Sequence, residues 1–165
     1  DAGAHGGETW ERVAAVRTIS RSGEIHERGP DEYTVGYRSV TGPANEWFIE
    51  ATLQFEPDTN PSMETMKAML ERRKLTQPLG LPSCGSVFRN PPGDYSARLI
   101  EAAGLKGFRI GGAEVSEKHA NFIINRDQAT ATDIEELIEH VRRTVREVHG
   151  VELVHEVKIV GEVRP

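Results

Sequence analysis

The stretch 132-TDIEELIEHVRRTVREVH-149, followed by Gly150 and 151-VELVHEVKIVG-161, decides the fold. Ile134, Leu137, Ile138, Val141, Val145 and Val148 recur at helical spacing and make one apolar stripe, so the first part reads as an amphipathic helix. Thr132 with Glu135 has the form of a capping box, and Gly150 suits the left-handed residue that ends a helix. The period then changes to two. Val151, Leu153, Val157 and Ile159 fall on one face, and Glu152, Glu156 and Lys158 on the other, which reads as a closing strand.

Moving back along the chain, 121-NFIIN-125 and 108-FRIGGAEV-115 read as β segments. Between them and 81-LPSCGSVFRNP-91 lies a short helix, 95-YSARLIEAA-103, with Asp94 as its cap and Gly104 as its stop. Asn60 and Pro61 suit the start of a further helix that carries Met63, Met66 and Leu70 and ends near 71-ERRK-74. The methionines at helical spacing read as core packing. Before it, 10-WERVAAVRTIS-20, the turn at Gly23, 35-VGYRSV-40 and 47-WFIEATLQF-55 read as antiparallel β. The expected class is α+β, with helices on one face of a mostly antiparallel sheet. A domain boundary is expected near residue 60.

Composition narrows the function classes. The chain has 165 residues, 37% hydrophobic and 28% charged, with a net charge of −6. An acidic chain without a basic tract is a poor partner for nucleic acid, because phosphate neutralisation needs clustered Lys and Arg. No apolar run approaches the ~20 residues of a membrane span, and no secretory leader is evident. A single cysteine, Cys84, excludes an internal disulfide and fits a reducing compartment. The chain opens at Asp1 inside a glycine-rich run, 1-DAGAHGGE-8, which reads as a fragment or processed chain, with a flexible tail as the alternative.

Local motifs leave several chemistries open and weaken others. Ser83-Cys84-Gly85-Ser86-Val87-Phe88 fails the G-x-S-x-G pattern of a nucleophile elbow, so a turn into a strand outweighs a serine hydrolase. Cys84 has no C-x-x-C partner and reads as structural. The histidines lack zinc-ligand spacing, and no metal site is expected. Gly3, Gly6 and Gly7 do not form the dinucleotide fingerprint. Arg38, Glu156 and Lys158 read locally as solvated polar positions.

Taken together, AGAHGGE, VGYRS, GSVFRNP, IEAAGLKGFRIGGAEVSEKHANFIIN and HEVKIVG resemble, in order and spacing, the UDP-N-acetylenolpyruvoylglucosamine reductase family. The resemblance covers essentially the whole chain. It implies that residues 1–58 are the C-terminal portion of an FAD-binding domain and residues 59–165 a substrate-binding domain. The short interval between Arg38 and GSVFRNP resembles the compact variant without an extra tyrosine-bearing loop. Asp1 stands where the family more often has Asn.

The resemblance further implies FAD and NADPH as cofactors and UDP-N-acetylglucosamine enolpyruvate as substrate, in peptidoglycan synthesis. It implies Ser86 as proton donor, Arg38 at the carboxylate and Glu156 beside the developing enolate. Lys74, Asn90 and Lys158 are implied at the UDP-sugar, and Gly3, Ala4 and Arg38 at the flavin. A cytoplasmic monomer is expected. The alternative is a chain that binds the UDP-sugar without turning it over.

Overall fold

The computed structural model describes residues 3, 4, 7–57 and 62–161; of Gly3 and Ala4 the backbone is described. Asp1, Gly6, Asn60 and Pro61 lie outside the described residues, and with them the expected start of the first long helix. The chain divides into two compact units, Asp1–Pro61 and Ser62–Pro165. The architecture is α+β.

The first unit is built on a three-stranded antiparallel sheet. Its centre is β3 (Val13–Ser20), flanked by β4 (Ile25–Arg28) and β7 (Glu46–Leu53). Short pairs lie beside it in the chain: β1 (Gly3–Ala4) with β2 (Gly7–Glu8), and β5 (Thr34–Gly36) with β6 (Ser39–Thr41). The β3–β4 turn closes where expected, with Gly23 at φ +88° and Ser20 N–H donating to Glu24 O at 2.9 Å. Two expectations change. Residues 10–12 belong to a 3-10 turn, Thr9–Arg12, and not to the strand. Residues 35–40 form a hairpin, not one strand, because Arg38 takes φ 55° at its tip.

A polar network ties this unit together. Arg28 donates to both oxygens of Glu46, at 2.6 and 3.2 Å, and Thr18 Oγ1 donates to the same carboxylate at 2.5 Å. These donors hold the Glu46 carboxyl down at about 2. The Arg28 guanidinium is raised above its ordinary value, chiefly by the hydrogen bond to Glu46. Trp10, Tyr33 and Phe48 pack edge and face beside this network, with centroids 5.0–5.9 Å apart.

The second unit holds the larger core. Four antiparallel strands run in the order β8-β11-β10-β9: β8 (Ser83–Ser86), β9 (Arg109–Ile110), β10 (Ala113–Val115) and β11 (Phe122–Asn125). The segment 108–115 is therefore a hairpin that turns at Gly111–Gly112. Helix α3 (Ala131–His149) packs on this sheet, and helix α2 (Ser96–Ala102) packs against α3 and joins the same core. Leu137, Ile138, Val141 and Val145 of α3 are buried as their spacing predicts. Each such side chain contributes ~1.5–3 kcal/mol by leaving water. Val148 is exposed and Ile134 only partly covered, so the stripe is longer than the layer it packs against.

Helix ends depart from the sequence reading by local competition for backbone amides. The cap of α3 is Thr130, not Thr132; its hydroxyl accepts from Asp133 N–H, and Asp133 accepts from Thr130 N–H in return. Asp94 does not cap α2 through a helical amide. It accepts from Tyr95 N–H at 2.7 Å and pairs with Arg98. The helix α1 (Met63–Thr76) is capped by Ser62, whose hydroxyl accepts from Thr65 N–H. Its Met63, Met66 and Leu70 are exposed, which corrects the expectation of core packing: the helix buries no residue. The closing segment 151–161 forms no strand. It makes a single bridge, His155 to Phe88, because two of its amides converge on one carbonyl and break the ladder.

Candidate active site

Ser86 is the last residue of β8, and the chain bends just before it. Ser83 pairs with Ile124 and Ser86 with Phe122, so β8 carries one residue more than β11 across this interval. The extra residue falls at Cys84–Gly85, and Gly85 adopts φ +83°. A bulge of this kind re-aims the next side chain and sharpens the local twist. It leaves Ser86 half-buried.

The other side of the segment meets residues 154–157. Glu156 N–H donates to Val87 O at 2.8 Å and Val157 N–H to the same oxygen at 3.3 Å. Arg89 N–H donates to Val154 O at 2.9 Å. Glu156 is thus bonded to the residue that follows Ser86, which puts the two on neighbouring backbones. Lys158 follows two residues later and is exposed. The second neighbour of the segment is Asn121, whose side-chain amide accepts from Phe88 N–H at 2.9 Å and donates to Phe88 O at 2.8 Å.

The remaining expected residues lie on other elements. Asn90 is exposed at the end of the same segment, and its Oδ1 accepts from Ser96 N–H at 3.1 Å. It therefore closes the first turn of α2, a role that its expected sugar contact does not include. Lys74 lies in the last turn of α1; its ammonium pairs with Glu71 at 2.7 Å, and its carbonyl accepts from Lys118 Nζ at 2.9 Å. Arg38, at the β5–β6 turn, is exposed and stands 5.9 Å from the Tyr37 ring. Gly3 and Ala4 pair with Glu8 and Gly7. These last three residues belong to the first unit.

Cys84 is exposed, against the expectation of a packed thiol. Desolvation at its sulfur pushes the thiol up from its ordinary value, so it stays a poor nucleophile at neutral pH. No group of three His, Cys, Asp or Glu side chains among the described residues could hold a metal ion. No helix among them is long and apolar enough to cross a membrane. Sequence reasoning missed Asn121 and the hydrogen bond of Asn90 to α2. Neither residue type carries a spacing signal, since a side-chain amide that grips a distant backbone has no local period.

The fold is that of a small α+β unit in which Ser86 and Glu156 lie on adjoining backbones. Similarity to known proteins specifies it. Residues 77–160 match the family described as UDP-N-acetylenolpyruvoylglucosamine reductase, C-terminal domain, and the chain belongs to that family. It is 61% identical over 163 residues to the UDP-N-acetylenolpyruvoylglucosamine reductase of Alkalilimnicola ehrlichii, covering 98% of this chain and 55% of that protein. The protein of the same name from Methylococcus capsulatus is 57% identical, again over 98% of this chain and 54% of its own length. The crystal structure of UDP-N-acetylenolpyruvylglucosamine reductase from Thermus caldophilus superposes with a TM-score of 0.72 at 36% identity, covering 92% of this chain and 55% of that chain. The chain spans about half the length of the curated relatives it matches.

Proposed function

We propose that this chain supplies the substrate-binding and protonating part of an NADPH-dependent flavoenzyme. The enzyme reduces the enolpyruvyl ether of UDP-N-acetylglucosamine enolpyruvate to UDP-N-acetylmuramate in peptidoglycan synthesis. In this reading residues 59–165 bind the UDP-sugar and residues 1–58 complete an FAD-binding domain. The observation that carries it is the bulge at Gly85, which aims Ser86 beside the segment of Glu156. The identity to named reductases supports the same reading.

The backbone before Ser86 is open at Gly85, where a Cβ would meet nothing within 4 Å. FAD, when bound, would supply the hydride chemistry, with NADPH as the reductant. Ser86 then protonates the carbon next to the carboxylate. A serine hydroxyl is a weak acid in water, and it serves here because the carbanionic centre is a much stronger base held close to it. Arg38 offsets charge that grows on the carboxylate, in the manner of a preorganised charge-assisted donor. Glu156 orients the reacting end, while Asn90, Lys74 and Lys158 hold the nucleotide sugar. The substrate is soluble and anionic, in keeping with a cytoplasmic reaction.

The test is Ser86→Ala in a flavin-loaded enzyme that contains this chain. Substrate reduction should slow ~10²–10⁴-fold, the usual worth of a positioned general acid. Flavin reduction by NADPH should keep its rate. Equal loss in both half-reactions would refute the assignment.

A further inference from the structure

We infer that Asn121 is the positioning residue for Ser86: its side-chain amide takes the place of a strand and fixes the segment that carries the hydroxyl. The inference rests on the proton-donor reading of Ser86 above. The β8–β11 ladder ends at the pair Ser86–Phe122. Val87 N–H still reaches Asn121 O at 2.9 Å, but the chain before Phe122 then turns back, with Phe122 N–H bonded to His119 O. No strand among the described residues continues opposite Phe88 on that side.

Asn121 fills the gap. Its Oδ1 accepts from Phe88 N–H at 2.9 Å, and its Nδ2 donates to Phe88 O at 2.8 Å. Both residues are buried, at 4% and 1% exposure. Only a carboxamide side chain has the donor and the acceptor side by side that this double bond to one residue requires. Across the segment, Val87 O takes the amides of Glu156 and Val157. Residues 87 and 88 are therefore clamped from both sides. Ser86, one residue earlier, inherits its position relative to Glu156 from that clamp. The bulge aims the hydroxyl, and Asn121 keeps the aim.

Two measurements test this. Asn121→Leu keeps the size and loses both hydrogen bonds; Asn121→Asp keeps the acceptor and loses the donor, and serves where the leucine variant fails to accumulate. In the chain itself, hydrogen exchange at Phe88 N–H should quicken, while the β10–β11 amides keep their protection. Unchanged exchange at Phe88 would overturn the clamp. In the flavin-loaded enzyme, substrate reduction should fall roughly 10–100-fold in kcat with KM unchanged, the effect of a misplaced reacting group. Flavin reduction by NADPH should keep its rate.

In a Ser86→Ala background the Asn121 substitution should slow nothing further, because residues that act through one group are not additive. A further loss of the same size there would show that Asn121 acts elsewhere and overturn the inference. If Ser86→Ala alone leaves substrate reduction intact, the proton-donor reading fails and takes this positioning role with it. Exchange at Phe88 then still decides, by itself, whether the clamp exists.

Discussion

Replacing Gly85 by alanine separates backbone strain from crowding at the bend before Ser86. Gly85 sits at φ +83°, and a Cβ built there meets no atom within 4 Å. The whole cost of Gly85→Ala is then conformational, ~1–2 kcal/mol for a non-glycine residue in the left-handed region. For a unit of this size each 1 kcal/mol lowers Tm by roughly 4–8 °C. Gly112 gives the contrast. Its φ is not in the left-handed region, but a Cβ there would run into the backbone of Asp127 and Ala129, which cannot swing aside. Gly112→Ala should therefore cost more than Gly85→Ala. Gly85→Asn should recover part of the alanine loss, since asparagine tolerates this conformation better. Thermal and urea unfolding of the chain measure all three. A Gly85→Ala variant as stable as the parent would refute the strain reasoning, and one as damaged as Gly112→Ala would refute the open space.

Acid sensitivity of the first unit should centre on Glu46. Its folded carboxyl titrates at about 2 against an ordinary 4.5, so its contribution is complete above 4.5 and is lost as pH falls through about 2. Glu46→Gln should flatten the pH dependence of unfolding between those values, and an unchanged slope would sink the idea. In the second unit, Leu137→Ala removes a fully buried side chain from α3. Urea unfolding should show a loss of ~2–5 kcal/mol, and a loss below ~1 kcal/mol would mean that the helix is not packed as described.

The periodic parts of this fold were legible in the sequence. The stripe of α3 and the α+β class follow from spacing, because burial on one face imposes a period, and the β3–β4 turn follows from Gly23. What the sequence concealed has no period. In 151–161 the residues alternate as a strand does, yet the double donation onto Val87 O breaks the ladder there. The cap of α3 moved from Thr132 to Thr130 because Asp133, rather than Glu135, reaches back to the first amide. The methionines of α1 have helical spacing, but spacing does not say whether a face is covered. At the candidate site, Ser86 and Glu156 were named through resemblance. Their juxtaposition depends on a bulge and on Asn121, which are long-range facts of pairing.

The exposure of α1 turns it into a chemical reporter. The chain has three methionines, and all of them, Met63, Met66 and Met69, lie on this one helix with 64%, 48% and 40% of their surface open. Peroxide converts accessible methionine to sulfoxide, and each event adds one oxygen to the intact mass. Every methionine oxidised in this chain is assigned to α1 without fragmentation. With Cys84 first blocked, because an exposed thiol also takes up oxygen from peroxide, a partner that covers this helix is read as slower uptake.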